Sequence, residues 1–259
     1  MKILTILLSW NRPDLLTRTV ESYFENTSSP FEFMIVDNGS DKETLKTLGD
    51  LSGKYKMNVL KLEKNIGGLA FNKALGGIEL NPYDYIHFSE NDIEYLPAWD
   101  QILLKKLDIF SDIGQISPFS PFPQTSQGEF SWEKAATKVS KNKETIYMAK
   151  HNVGTTSIIR SNLIKDGLRW TNLERSNGIR FPHDGRFSRH VKRLGWKVAF
   201  NDRYVVKNWG HTIEELQRDL DYYIKNHQAK SFHRFEQRLD DFGYIIQKNS
   251  SGNFTLKKK

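Results

Sequence analysis

The chain has 259 residues, 38% of them hydrophobic and 27% charged, which is enough for one large globular unit with a full core. It holds no cysteine, which excludes a disulfide framework, a thiolate metal site and a cysteine nucleophile. The formal net charge of +7 suits an anionic partner, but no basic block interleaved with aromatics marks a nucleic-acid module, so no nucleic acid is expected and a solvated lysine-rich surface accounts for the charge.

Residues 3–8 are a short apolar run leading into Asn11, Arg12, Pro13 and Asp14 without a small-residue cleavage site, and they read as a buried first strand. No stretch reaches the ~20 apolar residues of a membrane-spanning helix, so a cytoplasmic chain is expected, at most peripheral to a membrane. Further core strands are read at 33–36, 59–62 and 85–88. Between the first two, Leu16, Val20, Tyr23 and Phe24 fall at helical spacing after Pro13, and Leu45 and Leu48 mark a shorter helix after Asp41. A third helix follows Gly67 and Gly68. This alternation predicts an α/β fold with a mostly parallel sheet, whose ligands bind beyond the carboxyl ends of the strands.

Residues 117–143 are polar and punctuated by Pro118, Pro121, Pro123 and Gly128, and read as a long loop. Strands are expected at 145–149 and 153–159, an irregular stretch at 169–183, an amphipathic helix over 185–194, and last strands at 196–200 and 204–206. Thr212 with Glu215 three residues on forms a capping-box pattern that opens a C-terminal helix with an apolar stripe of Ile213, Leu216, Leu220, Tyr223 and Ile224.

Three polar clusters follow the first three strands: Ser9-Trp10-Asn11-Arg12, Asp37-Asn38-Gly39-Ser40-Asp41, and Glu63-Lys64-Asn65-Ile66-Gly67-Gly68. A carboxylate at a strand end can accept hydrogen bonds from a ribose diol or an imide, and glycines let the backbone approach a phosphate. Plain turn chemistry, with Asp41 as a helix cap, is the alternative. The fourth strand runs into Ser89-Glu90-Asn91-Asp92-Ile93-Glu94, where carboxylates could hold a hard divalent cation such as Mg²⁺ or Mn²⁺, or simply form an acidic turn. His87, inside a strand, is expected to be packed.

Taken in order, these motifs make residues 1–211 resemble the family-2 glycosyltransferases. The resemblance rests on Leu7 through Pro13, Val36 through Asp41, Asn65 through Gly68 with Asn72, and Glu90-Asn91-Asp92. It implies a GT-A fold with a nucleotide-sugar-binding half at 1–95, an acceptor half at 96–211 and a C-terminal helical extension at 212–259. It also implies transfer from a UDP-linked donor, with inversion, to a glycan, lipid-linked or protein acceptor. Ser9, Asn11, Arg12, Asp37, Asn65, Gly67, Gly68, Asn72, Glu90 and Asn91 would bind the donor. Asp92 and His211 would hold the metal ion, Mn²⁺ or Mg²⁺, with Glu90 departing from the usual first aspartate. His183-Asp184 resembles the acidic pair ahead of the acceptor-side helix, so Asp184 is the general-base candidate, with a helix cap as the alternative.

Trp132, Trp170 and Trp209 are read either as an acceptor-pocket platform or as core. The segment from Thr212 onward is read as a cover for the domain, a homodimer contact or a face for an anionic membrane, and the sequence leaves these open. A catalytically degenerate binding protein of the same fold is the rival to the enzyme.

Overall fold

Every residue of Ile3–Ser9 is buried, as a strand covered on both faces requires, and this strand, β1, lies inside the main sheet. The computed structural model describes residues 1–122, 135–174, 180–230, 232–249 and 253–259. From β1 (Ile3–Ser9) the chain runs through α1 (Pro13–Asn26), β2 (Phe31–Asp37), α2 (Lys42–Lys54), β3 (Asn58–Lys61), α3 (Leu69–Leu75) and β4 (Tyr85–Glu90). It adds β5 (Ile93–Tyr95), α4 (Trp99–Ile109), β6 (Ile113–Ser117), β7 (Ala136–Lys141), β8 (Glu144–Ala149) and β9 (Ser157–Arg160). It continues with α5 (Asn162–Lys165), β10 (Asn172–Glu174), β11 (Arg180–Pro182), α6 (Asp184–Arg193), β12 (Lys197–Asn201) and β13 (Val206–Asn208). After a 3-10 turn at Trp209–His211 come α7 (Ile213–Arg218), α8 (Leu220–Lys230), α9 (Phe232–Asp241), β14 (Tyr244–Lys248) and β15 (Phe254–Lys258).

The main sheet has the order β3-β2-β1-β4-β9-β6-β12-β8-β7. The strands β1 to β4 are parallel, and their register sets Ser9 opposite Asp37 and Leu8 opposite Glu90. Their carboxyl ends therefore share one edge. Only β9 and β8 oppose the common direction, because each pairs antiparallel with its neighbours. This is the mostly parallel α/β architecture expected. One apolar layer, with Ile3, Leu7, Tyr23, Ile35 and Trp99, covers one face. A second, with Leu4, Ile6, Phe71, Phe88 and Phe187, covers the other.

The structure departs from the sequence reading in three places. Residues 136–141, read as loop, form the edge strand β7; all but Ala136 are exposed, so no apolar run betrays them. Residues 153–156 precede rather than join β9. Of the two readings of Trp170, core packing is the one seen: it is fully buried and stacks on Phe187 at 3.9 Å. The C-terminal extension holds three helices, around Leu216, Leu220, Ile224, Phe235 and Leu239, and ends in the β14–β15 hairpin that was not anticipated. Pro123, Gly128 and Trp132 lie outside the described residues. Among the described residues no helix is long and apolar enough to cross a membrane.

Candidate functional site

The turn after β1 is conformationally costly. Asn11 and Arg12 both have left-handed backbones, with φ of 55° and 59°, where non-glycine residues are uncommon. Side chains from the next strand ends hold them. Asn11 donates its N–H to Ser40 Oγ at 2.9 Å and accepts the Asp41 N–H on Oδ1 at 3.0 Å, while Asn91 Nδ2 donates to the Asn11 carbonyl at 2.7 Å. The strained pair aims the Arg12 guanidinium at Asn91 Oδ1, at 2.6 Å, and Asp92 Oδ2, at 2.9 Å. Burial opposes the charge on Arg12, but Tyr222, Asp92 and Tyr223 around it outweigh that, and its pKa lies above the usual arginine value.

The two turns beside it are built on tight backbone approaches. A Cβ on Gly39, whose φ is +79°, would meet the Lys64 backbone at 2.6 Å. Gly67 and Gly68 make room for the β10–β11 ribbon: added Cβ atoms would lie 2.7 Å from Asn172 Oδ1 and 2.9 Å from Pro182 Cα. Asn38 Oδ1 accepts the Ile66 N–H at 2.9 Å and ties the second turn to the third. Asn72 is a strut, its amide exchanging two hydrogen bonds with the Trp170 backbone. Asp41 caps α2 by accepting the Thr44 N–H at 2.9 Å. Ser9 and Asp37 are buried at the strand ends, and Ser9 Oγ and Asp37 Oδ1 have no hydrogen-bond partner among the described residues.

After β4 the chain turns into β5, which pairs with β13 so that Ile93 faces Asn208. The Trp209 N–H donates to the Asp92 carbonyl at 2.9 Å, which brings the Asn208-Trp209-Gly210-His211 segment against Asp92. A Cβ on Gly210 would sit 2.5 Å from Asp92 Oδ2 and 3.3 Å from Asn208 Oδ1, so only glycine lets these two side chains crowd together. Asp92 Oδ1 and Asn208 Oδ1 are both buried and without a partner among the described residues, and oxygens of this kind are the ligands a hard divalent cation takes. Among the described residues there is no cluster of three acidic or histidine side chains, and the His211 side chain is outside the description. Trp209 is spoken for: its Nε1 donates to Glu94 at 2.8 Å, and Arg18 and Lys207 lie 4.0 and 3.4 Å from its ring centre.

On the other side, α6 begins at Asp184. His183, not Asp184, caps the helix, its Nδ1 accepting the Arg186 N–H at 3.3 Å. Burial, then the nearby Arg186, lowers the His183 pKa and favours the neutral ring this acceptor role needs. Asp184 is left facing the interior space. Its Oδ1 accepts the Gly185 N–H at 2.7 Å and its Oδ2 accepts Asn152 Nδ2 at 2.8 Å.

These elements enclose a cavity of about 480 Å³, within the ~300–1,000 Å³ common for small-molecule sites. Arg12, Asn65, Glu90, Asn91, Asp92 and Asp184 line it together. Ser9, Asn11, Asp37, Gly67, Gly68 and Asn72 are not among its lining residues. The lining also takes Asn152, Arg180, Asn208, Tyr222 and Asn226, none of which carries a readable local motif. His87 stays in the core, bonded to Tyr95 Oη at 2.7 Å and the Ser157 carbonyl at 3.1 Å.

Several solved structures share this architecture. A 1–349 fragment of TarS from S. aureus superposes with a TM-score of 0.59 at 19% identity, covering 93% of this chain and 70% of the fragment; against a longer TarS chain the coverage is 43% of that chain. The same fragment has been solved with UDP-GlcNAc, matching with a TM-score of 0.58 at 16% identity over 94% of this chain and 80% of that one. The mannosyltransferase PcManGT from Pyrobaculum calidifontis, solved with GDP-Man and Mn²⁺, matches with a TM-score of 0.55 at 12% identity over 88% and 61% of the two chains. These likenesses establish the GT-A fold. The family model for glycosyl transferase family 2 matches residues 5–168, which takes in the strand-end turns, Arg12 and Asp92, and so the chain belongs to glycosyl transferase family 2.

Proposed function

We propose that the chain transfers a glycosyl group from a nucleoside diphosphate sugar, UDP-linked, to an acceptor hydroxyl with inversion. The observation that carries this reading is that Asp184 and the Glu90-Asn91-Asp92 carboxylates face one cavity at the carboxyl edge of a parallel sheet. The acceptor oxygen attacks the anomeric carbon, the bond from that carbon to the diphosphate oxygen breaks, and the acceptor proton passes to Asp184. Asn152, bonded to Asp184 Oδ2, fixes the carboxylate for that transfer. Asp92 and Asn208, with His211 by family resemblance, would hold Mg²⁺ or Mn²⁺, which when bound neutralises charge on the departing diphosphate. Preference for UDP is supported by the fold shared with the UDP and UDP-GlcNAc complexes of TarS.

A second reading, a protein that binds the donor without turning it over, is favoured by the ion pair that Arg12 makes with Asp92. A thermal-shift screen against UDP, GDP, dTDP and CMP sugars with Mn²⁺, Mg²⁺ or chelator, repeated on Asp92→Ala, tests the first reading. A metal-dependent shift for one nucleotide that vanishes in the variant supports it. Absence of any shift overturns it, and a shift without release of nucleoside diphosphate selects the second.

A further inference from the structure

The sheet does not enclose the cavity alone. Facing Trp10 and Arg12, its wall is made by α8, with Tyr222, Tyr223 and Asn226, and by Arg238 of α9. The family match stops at residue 168, well before these helices. The helix is fastened at the cavity by contacts that reach across the whole chain. Arg218 Nη1 lies 2.7 Å from Asp14 Oδ2, and the Tyr223 hydroxyl is 3.4 Å from Arg12 Nη1. The Arg12 guanidinium sits 5.1 Å from the centre of the Tyr222 ring, and the Trp10 ring lies 6.2 Å from it. Behind α8, the apolar cluster of Leu216, Leu220, Ile224, Phe235 and Leu239 fixes its depth.

Within this wall Asn226 is anomalous. It is only 6% exposed, and its Nδ2 donates to the Tyr222 carbonyl at 2.9 Å, which sets which way round the amide sits. Its Oδ1 is buried and has no hydrogen-bond partner among the described residues. A buried acceptor left unsatisfied is destabilising, so a polar residue kept there in a ligand cavity points to a ligand donor. A carboxamide oxygen can only accept; it matches a hydroxyl or N–H and not a phosphate oxygen.

We propose that α8 is part of the donor site and that Asn226 is a donor-recognition residue, taking a hydrogen bond from a hydroxyl of the nucleotide sugar. The assignment rests on the reading of the cavity as a nucleotide-sugar site. It gives the C-terminal extension a role in specificity: the sheet edge supplies the conserved-fold half of the pocket, and the extension supplies a wall that can differ without disturbing the sheet.

The test is the affinity of the full chain for UDP, GDP, dTDP and CMP and for UDP-GlcNAc and GDP-mannose, by calorimetry with Mn²⁺ present, repeated on Asn226→Leu and Asn226→Ala. The expected result is that one ligand binds the unaltered chain and that both variants, melting within about two degrees of it, bind that ligand about tenfold more weakly. Unchanged affinity in a folded variant overturns the role of Asn226 and leaves the donor-site reading intact; binding of none of the six by the unaltered chain overturns the donor-site reading and the assignment with it. Should the variants fail to fold, hydrogen exchange on the unaltered chain decides: slowed exchange of α8 amides under saturating ligand supports the proposal, and unchanged exchange there overturns it.

Discussion

Arg12 Nη1 stands 2.9 Å from Asp92 Oδ2, so the turn after β1 and the carboxylate after β4 are joined by an ion pair whose partners are only 11% and 14% exposed. Removing one member of a buried pair leaves the other charged and uncompensated, which typically costs ~3–5 kcal/mol. Arg12→Met is therefore expected to lower folding stability by about 3 kcal/mol in urea denaturation. Adding Asp92→Asn to that background should recover part of the loss, since no charge then remains stranded. Equal stability of the single and double variants would show that the pair is not the source.

Much of this arrangement was readable in advance. The apolar runs of β1, β2 and β4, separated by helix-period segments, dictate a parallel sheet, and a parallel sheet dictates that its polar strand ends meet. Arg12 and Asp92 could be singled out on that ground, and Asp184 by the resemblance of His183-Asp184 to the family's acidic pair. What escaped has physical reasons. The edge strand β7 is exposed from Thr137 to Lys141, and without a buried face there is no alternation to detect. Gly67 and Gly68 record that something comes close to the third turn, but not that Arg180 and Pro182, more than a hundred positions later, are what approach it. Tyr222 and Tyr223 enter the site through contacts with Arg12, some two hundred positions earlier, which no local pattern encodes.

The buried His87 makes stability depend on acid. Burial, only partly offset by its bond to Ser157 and by Asp100, lowers its pKa to about 3. The folded value lies below the ordinary ~6.5 of the unfolded chain. Its contribution is thus intact above about pH 6.5 and is lost as pH falls toward 3, when the unfolded state takes up a proton that the native state refuses. Relative to His87→Gln, the unaltered chain should lose about 1.4 kcal/mol more per pH unit between pH 6 and 4. Parallel pH profiles for the two proteins would remove His87 as the cause.

Gly39 tests the second turn. Its φ of +79° and the 2.6 Å approach of a Cβ to Lys64 Cα act together, and the obstacle is backbone that cannot swing aside. The left-handed backbone costs an L-residue ~1–2 kcal/mol and forced overpacking ~1–3. Gly39→Ala should therefore lose about 2–4 kcal/mol of stability. Gly49→Ala, with nothing within 4 Å of the added carbon, serves as the control and should be neutral or slightly stabilising, being inside α2. Similar melting temperatures for the two variants would remove the strain argument.

Asp184 separates chemistry from binding. An asparagine there keeps an oxygen to accept the Gly185 N–H, so the start of α6 and the cavity wall should survive, and His183 rather than Asp184 supplies the helix cap. The carboxylate that takes the acceptor proton is gone. General-base catalysis contributes ~10²–10⁴-fold, so Asp184→Asn should lower the rate of UDP release from UDP-GlcNAc by at least a hundredfold, with water standing in as acceptor, while UDP affinity and melting temperature stay close to those of the unaltered chain. Asn152→Ala should act through Asp184, reducing the same rate by a smaller factor and leaving UDP affinity unchanged, because it removes only the hydrogen bond to Oδ2. A fall of less than tenfold in Asp184→Asn with normal UDP affinity would mean that the proton leaves by another group, and Glu90, on the same cavity wall, would be the next carboxylate to replace.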